Sequence, residues 1–159
     1  MPLRAGIGYD VHRREQGRRL VLGGETFESP WGLAGHSDAD VLLHAIGDAM
    51  LGAVALGDLG DHFPPGDPRW KDASSLELLR AIRGLLDARN ARVVNVDATV
   101  VAERPRLTPA REAMRRNVAE ALGLEVARVS VKATTNERLG ALGREEGIAA
   151  WAVVTVEAP

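Results

Sequence analysis

The segment 41–56, VLLHAIGDAMLGAVAL, places the strongest constraint on how this chain can fold. Its apolar residues recur at helical spacing, and the preceding Ser37-Asp38-Ala39-Asp40 resembles a capping box. The sequence therefore predicts a helix over about 38–52. Because few polar side chains interrupt the segment, we expect this helix to be buried.

Strand and helix patterns alternate along the rest of the chain. Short strands are predicted at 3–9, 19–22 and 25–28, and longer ones at 93–103, 128–134 and 147–157. Further helices are predicted from Ser74-Ser75 to before Val93, and from Thr108-Pro109, with the threonine as cap, to Gly123. Glycine, proline and aspartate make 57–68 a long loop, and Gly23-Gly24 a tight hairpin. This order predicts an α+β fold, an α/β sandwich in which a mixed β-sheet has helices packed on one face.

The composition fits a single globular domain over 1–159. Apolar residues make up 45% and charged residues 26% of the chain, which is ordinary globular usage. The 20 basic and 22 acidic residues form no basic stripe, so nucleic acid is not an expected partner. Neither an apolar signal core nor a stretch approaching the ~20 residues of a bilayer span is present. We therefore expect no membrane association and a cytoplasmic location.

Cysteine is absent from the chain. This absence excludes disulfides, thiolate metal ligands and thiol nucleophiles together. Any bound metal must therefore be held by His, Asp or Glu.

Asp10, His12 and His44 are the candidate metal ligands. Asp10 and His12 are two residues apart, so in an extended segment both project from one face and can reach one ion. The pair alone also fits an ordinary strand end. His44 favours the metal interpretation, because an imidazole within an apolar helix needs a partner. The alternative for His44 is a core imidazole hydrogen-bonded to a backbone carbonyl.

Two carboxylates flank His44 along the predicted helix. Asp40 and Asp48 lie one turn to either side, and a carboxylate beside an imidazole commonly orients a metal-binding histidine. Two histidines and one carboxylate suit zinc and leave a fourth tetrahedral position open, as in catalytic sites. We expect an anionic substrate oxygen to bind there.

Three further segments combine polar side chains, and their interpretation stays open at this point. His36-Ser37 precedes the predicted helix, where free N–H groups favour a phosphate, although capping alone also explains Ser37. The segment 132–137, KATTNE, follows a predicted strand and is also typical of a simple turn. Asp58-Leu59-Gly60 is a common loop pattern as well.

The chain resembles the 2-C-methyl-D-erythritol 2,4-cyclodiphosphate synthase family of the non-mevalonate isoprenoid pathway. The resemblance covers nearly the whole chain, through GIGYDVHR, GLAGHSDADVLLHAIGDAMLGAVALGDLGDHFP and VKATTNERLGALGREEGIA in this order. It implies a CMP-releasing phosphorus-oxygen lyase that converts 4-diphosphocytidyl-2-C-methyl-D-erythritol 2-phosphate into the 2,4-cyclodiphosphate. The substrate's own 2-phosphate would be the nucleophile, which agrees with the lack of cysteine and of a Ser-His-Asp pattern.

The resemblance also implies roles for individual residues. Asp10, His12 and His44 would bind Zn²⁺, and Glu137 would bind Mg²⁺ or Mn²⁺ together with the substrate phosphates. His36 and Thr135 would stabilise the transition state. The other implied substrate contacts are Val11, Ser37, Asp58, Leu59, Gly60, Phe63, Pro64, Pro65, Gly66, Asp67, Ala102, Glu103, Arg104, Pro105, Arg106, Leu107, Thr108, Thr134, Asn136, Ala141 and Arg144.

Parts of the substrate can be matched to segments by the same resemblance. Asp58 and Gly60 would contact the ribose, 102–108 with Thr134-Thr135 would enclose the cytosine, and 63–67 would close over the methylerythritol. Pro65 stands where relatives commonly have aspartate, and Arg106 where lysine is often seen.

Members of this family are homotrimers with active sites between subunits and an apolar cavity on the three-fold axis. A homotrimer is therefore expected here, with Ala141 and Arg144 lining that cavity or the substrate edge. Two other functions remain open. A metallophosphohydrolase would use the metal to activate water, with His36 as base, and a non-enzymatic module would close its metal site with a fourth protein ligand.

Overall fold

The computed structural model describes residues 1–159. The strands are β1 (Leu3–Gln16), β2 (Leu20–Leu22), β3 (Glu25–Phe27), β4 (Trp31–Leu33), β5 (Arg92–Val101), β6 (Val129–Thr134) and β7 (Gly147–Glu157). The α-helices are α1 (Val41–Ala53), α2 (Leu59–His62), α3 (Ser75–Asp87), α4 (Arg111–Leu122) and α5 (Gly140–Gly143). Short 3-10 turns lie at Pro68–Trp70, Thr108–Ala110 and Val126–Arg128.

Five strands form one sheet in the order β4-β1-β7-β5-β6, and β2 and β3 form a separate hairpin. β5 and β6 are parallel, whereas the other neighbours in the sheet are antiparallel. Helix α1 packs on β1, β7 and β5, while α4 packs on β6 and on α3. The predicted α+β fold, a mixed sheet with helices, is therefore confirmed.

The sequence predicted the positions of most helices and strands, but not the full length of β1, the presence of α2 or the start of α4. β1 continues to Gln16 instead of ending near residue 9, because it pairs first with β7 and then, from Arg14, with β4. The predicted loop at 57–68 contains α2, which begins with a reciprocal capping box between Asp58 and Asp61. Thr108 is not a cap, since it lies inside the 3-10 turn that precedes α4.

The start of α1 differs from the predicted capping box. The N-cap is Asp40, whose fully buried carboxylate accepts hydrogen bonds from Leu43 N at 3.1 Å, Gly23 N at 3.0 Å and Gly24 N at 2.8 Å. Burial raises the pKa of Asp40 to about 6, with the charge of Asp38 acting in the same direction and the three backbone hydrogen bonds opposing it. Asp40 thus ties the β2–β3 turn to the first turn of α1.

Two glycines let the backbone of β1 lie directly on α1. A Cβ atom added at Gly6 would lie 1.9 Å from the carbonyl oxygen of Ala49, and one at Gly8 would lie 1.9 Å from that of Ala45. Side chains alternate along a strand, so Asp10 and His12 follow Gly6 and Gly8 on the face that meets α1. This contact brings the start of β1 and the middle of α1 together.

The opposite face of the sheet is apolar and open. Ile7 is 72% exposed and Val153 47%, and the rings of Tyr9 and Trp151 pack at a tilt on the same surface, with centroids 4.7 Å apart. We call the exposed residues Ile7, Tyr9, Val11, Trp151 and Val153 the outer apolar face. Separately, none of the helices combines the length and apolarity needed to cross a membrane.

Replacing Gly8 by alanine tests the strand–helix contact. The new methyl group would meet backbone that cannot rotate away, so we expect Gly8→Ala to lower the free energy of unfolding by about 3 kcal/mol. Gly52→Ala is the matched control, because Gly52 is an exposed residue of α1 where an added Cβ would make only an ordinary contact, 3.9 Å from the carbonyl oxygen of Ile7. This variant should gain about 0.5–1 kcal/mol of helix propensity. Urea unfolding measures both, and equal stabilities for the two variants would contradict the close contact.

Candidate metal centre

Asp10, His12 and His44 converge on one point, as predicted. Asp10 and His12 lie on the helix-facing side of β1, and His44 lies in the second turn of α1. Asp10 Oδ2 is 2.7 Å from His12 Nε2 and 3.1 Å from His44 Nδ1, and the two ring nitrogens are 3.2 Å apart. The donor atoms all lie within 4.8 Å of one another, which fits a divalent metal site.

Hydrogen bonds at the far side of each ring assign which nitrogen faces this point. His12 Nδ1 donates to the carbonyl oxygen of Ala34 at 2.7 Å, so Nε2 keeps its lone pair toward the cluster. His44 Nε2 donates to Ser75 Oγ at 2.9 Å, with Ser37 Oγ at 3.2 Å, so Nδ1 faces the cluster. Both rings are therefore prepared to bind a cation through one free nitrogen each.

A short relay continues from His44 away from the cluster. Ser75 is 1% exposed; its hydroxyl donates to Asp38 Oδ1, and its backbone N–H donates to Asp38 Oδ2 at 2.9 Å. Asp38 therefore fixes the hydroxyl proton of Ser75, which leaves the oxygen free to accept from His44. The start of α3 and the loop before α1 together set the orientation of the His44 ring.

The expected partners of His44, Asp40 and Asp48, are not its partners. Asp40 binds the backbone of the β2–β3 turn, and Asp48 Oδ1 accepts from Leu59 N at 2.9 Å. Both carboxylates are drawn to backbone donors on other elements, which residue spacing along one helix cannot indicate. The alternative that His44 bonds a backbone carbonyl is also wrong, since its partners are hydroxyls.

The cluster holds an anionic carboxylate against imidazoles. Burial alone would raise the pKa of Asp10, but hydrogen bonds and charge from His12 and His44 outweigh it and hold that pKa well below its usual range. Burial would lower the pKa of His12, but Asp10, the Ala34 carbonyl and the charge of Asp40 raise it above its usual value. Metal binding at His12 must therefore compete with a proton, because the neighbouring Asp10 carboxylate favours the charged imidazole and raises its pKa.

A cavity of about 420 Å³ opens beside the three donors. Its lining is formed by Asp10, His12, His36, Ser37, His44, Asp48, Asp58, Leu59, Gly60, Phe63, Pro65, Trp70 and Leu78. His36 Nε2 donates to the carbonyl oxygen of Asp67 at 3.0 Å, which places Asp67 at the cavity's edge. The predicted residues from three separate segments, 10–12, 36–37 and 58–65, are thus brought together.

Two lining residues were not predicted from the sequence. Trp70 packs edge-on against Phe63 with ring centroids 4.8 Å apart, and Leu78 reaches the cavity from α3. A tryptophan in a segment rich in proline and aspartate was the one available signal for Trp70. Leu78 follows the ordinary apolar pattern of its helix, so nothing in the sequence distinguishes it.

The remaining predicted residues lie outside this cavity. Segments 102–108 and 134–137 follow the ends of β5 and β6, and none of their residues line it. Glu103 joins the two segments, because its carboxylate accepts from Asn136 N at 2.6 Å and from Arg138 N at 3.2 Å. Pro64 and Gly66 are exposed in the loop after α2.

Val11 and Ala141 line another cavity of about 640 Å³, at the junction of β1 with α5. Arg144, next to this region, pairs with Glu146, with Arg144 Nε donating to Glu146 Oε2 at 3.0 Å. Val11 adjoins the metal centre, because its N–H donates to Asp10 Oδ1 at 2.9 Å and His12 also lines this second cavity. Ala141 and Arg144, like 102–108 and 134–137, do not line the metal-centre cavity.

Fold and site together define an α+β protein with an Asp-His-His cluster, suited to a divalent metal, at the wall of a cavity. The profile of the YgbB family matches residues 3–157. The 2-C-methyl-D-erythritol 2,4-cyclodiphosphate synthase of Syntrophomonas wolfei is 58% identical over 98% of this chain and 99% of its own length. The enzyme of that name from Symbiobacterium thermophilum is 60% identical over 95% and 96%, respectively.

Solved structures agree with these relatives. A 2C-methyl-D-erythritol-2,4-cyclodiphosphate synthase in a CDP-bound form superimposes with a TM-score of 0.89, at 38% identity over 97% of this chain and 100% of that one. The chain therefore belongs to the YgbB family, the 2-C-methyl-D-erythritol 2,4-cyclodiphosphate synthases.

Removing the Ser75 hydroxyl tests the relay behind His44. We expect Ser75→Ala to weaken divalent-metal binding by about 10–100-fold, because the His44 ring loses the partner that fixes its tautomer, while Ser37 Oγ remains as a longer contact. Ser74→Ala is the control, since it removes the cap of the same helix without touching His44. Competition with a chromophoric chelator gives both dissociation constants, and equal values would rule out the relay.

Proposed function

We infer that this chain converts 4-diphosphocytidyl-2-C-methyl-D-erythritol 2-phosphate into 2-C-methyl-D-erythritol 2,4-cyclodiphosphate and CMP, as a lyase of isoprenoid biosynthesis. The observation that supports this most directly is the Asp-His-His cluster at the wall of a cavity, in a chain 58% identical to a synthase of that name over nearly its full length. The relatives support neither the hydrolase nor the non-enzymatic module.

Zinc is the metal that we assign to Asp10, His12 and His44. Two neutral imidazole nitrogens and one carboxylate oxygen form a donor set that zinc prefers, and three protein ligands leave one position for substrate. When bound, zinc supplies a Lewis acid for a phosphoryl oxygen. Catalysis otherwise depends on positioning, because the nucleophile belongs to the substrate.

His36 is proposed to stabilise charge on the reacting phosphate. It lines the same cavity as the three metal ligands, and its ring nitrogen already donates a hydrogen bond, to the Asp67 carbonyl. Asp58 and Gly60 line the cavity farther along and are proposed to contact the ribose, while 63–67 covers the methylerythritol. A single donor that acts only in the transition state is typically worth about 3–4 kcal/mol.

The second half of the site is proposed to come from another subunit of a homotrimer. Residues 102–108 and Thr134-Thr135 would enclose the cytosine, Thr135 would support charge stabilisation, and Glu137 would bind Mg²⁺ or Mn²⁺ with the substrate phosphates. Two observations support this arrangement: these segments do not line the cavity of their own chain, and the outer apolar face exposes five large apolar side chains together on one side of the sheet. Ala141 and Arg144 would then lie near the three-fold axis.

Replacing His44, the proposed metal ligand on α1, tests the enzymatic function. We expect His44→Ala to lose zinc and to lower kcat for cyclisation on the order of 10³-fold or more, because a Lewis acid contributes several kcal/mol. His62→Ala is the control, since this histidine bonds the Leu56 carbonyl, away from the cluster. Sedimentation should give the mass of three chains for both variants.

The product assay separates the alternatives in the same experiment. Cyclisation keeps both phosphates in one product without oxygen from water, whereas a hydrolase would incorporate labelled solvent oxygen. Full cyclisation by a metal-stripped His44→Ala protein would overturn the assigned function.

Replacing the carboxylate of Glu137 tests the second metal. We expect Glu137→Gln to keep its zinc but to need at least about tenfold more Mg²⁺ or Mn²⁺ for half-maximal activity, because these ions are held by few protein carboxylates. Glu77→Gln, at an exposed glutamate of α3, is the control. An unchanged magnesium dependence of kcat in Glu137→Gln would reject this role.

A further inference from the structure

Arg18 binds the backbone on both sides of His36. Its Nη1 donates to the carbonyl oxygen of Gly35 at 2.6 Å, and its Nη2 donates to the carbonyl oxygen of Ser37. Arg18 belongs to the turn between β1 and β2, 17 positions before Gly35, and its side chain is only 26% exposed. A guanidinium that spans two carbonyls in this way is a planar fork with little freedom left.

The segment that Arg18 holds has no regular structure of its own. Residues 34–40 form neither helix nor strand, so no ladder of backbone hydrogen bonds fixes them. The carbonyls of Gly35 and Ser37 point to Arg18, whereas the carbonyl of His36 accepts from Asp72 N at 3.0 Å. The peptide units around His36 are thus held from both sides by partners distant in sequence.

Arg18 and the His36 side chain lie on opposite sides of this segment. Arg18 lines a separate cavity of about 570 Å³ together with Ser37 and Asp38, while His36 lines the 420 Å³ cavity of the metal centre. Arg18 does not line the metal-centre cavity, so it is not placed to touch a substrate bound there. It can act on the reaction through the backbone of residues 35–37, which carries His36.

We propose that Arg18 is a positioning residue whose guanidinium, by holding the carbonyls of Gly35 and Ser37, aims the His36 side chain into the metal-centre cavity. This rests on the proposed role of His36 in stabilising the reacting phosphate. Hydrogen bonds to a charged donor are among the stronger ones in proteins, so the loss of two of them frees the segment. A misplacement near 1 Å of a catalytic group costs up to about 100-fold in rate.

The test is a double-mutant cycle between Arg18 and His36 in the full-length, zinc-loaded enzyme. We expect Arg18→Met to lower kcat by about 10–50-fold with KM changed less than about threefold, because positioning acts on the transition state. In the His36→Ala background the same change should lower kcat by no more than about twofold, because the group that Arg18 positions is gone. Arg18→Lys should recover part of the loss, as a point charge reaches one carbonyl but not both.

Arg19→Met is the matched control. Arg19 is the next residue and equally cationic, but its side chain donates to Thr26 Oγ1 and not to the 35–37 backbone. We expect its kcat to stay within about twofold of wild type, since an exposed side-chain contact contributes little. The zinc dissociation constant of Arg19→Met should match wild type, and that of Arg18→Met should change less than its kcat, because Arg18 holds the backbone of Ser37, whose hydroxyl is only the longer of the two hydroxyl contacts of His44.

The possible failures can be told apart. A wild-type protein that fails to cyclise the substrate contradicts the proposed function itself. If the wild type is active but Arg18→Met behaves like Arg19→Met, only the positioning role is overturned. The same holds if Arg18→Met lowers kcat equally with and without His36. If circular dichroism shows that Arg18→Met is unfolded, Arg18→Lys replaces it in the double-mutant cycle. Equal losses of kcat with and without His36 would then also overturn the positioning role.

Discussion

The direct contact between the β1 backbone and the α1 backbone is the constraint on which the metal centre depends. Gly6 and Gly8 have no side chain, so the carbonyls of Ala49 and Ala45 reach the strand, and a Cβ atom at either glycine would overlap them at 1.9 Å. Asp10 lies two positions after Gly8 on the same face of the strand, and this places it opposite His44. The three candidate metal ligands are therefore carried by a strand and a helix in direct backbone contact, while loop residues contribute to the lining of the cavity beside them.

Convergence of three side chains is not sufficient, because each imidazole must also present the correct nitrogen. That choice is made by groups far from the cluster: the Ala34 carbonyl for His12, and Ser75 with Asp38 for His44. All of these groups sit in or beside the irregular segment 34–40, which also carries His36. The same short stretch of chain thus helps to orient the metal ligands and carries His36, which is proposed to stabilise the phosphate. Holding this stretch in place therefore matters even though it has no regular structure.

The sequence predicted what depends on local periodicity and missed what depends on distant partners. The helices at 41–53 and 75–87 and the strand at 147–157 follow from apolar spacing, and the Asp10–His12 pair follows from the two-residue repeat of a strand. The extension of β1 to Gln16 requires β4 as a partner, and the roles of Asp40 and Asp48 require backbone donors on the β2–β3 turn and α2. Residue spacing shows that Asp40 and Asp48 share a helix face with His44. It cannot show that backbone N–H groups on other elements bind these carboxylates instead.

The separation of the predicted site residues into two groups has a physical meaning for an enzyme of this kind. One group surrounds the metal centre, and the other, 102–108 with 134–137, is joined by the Glu103 carboxylate at the ends of β5 and β6. An intramolecular phosphoryl transfer needs its diphosphate held at both ends, since the enzyme supplies positioning and charge rather than a nucleophile. In the proposed homotrimer, each site would be completed by pairing unlike surfaces of two copies, a head-to-tail contact that can close into a ring. Burying the outer apolar face in the same ring would make assembly favourable for reasons independent of the substrate, so that the site is complete before the substrate arrives.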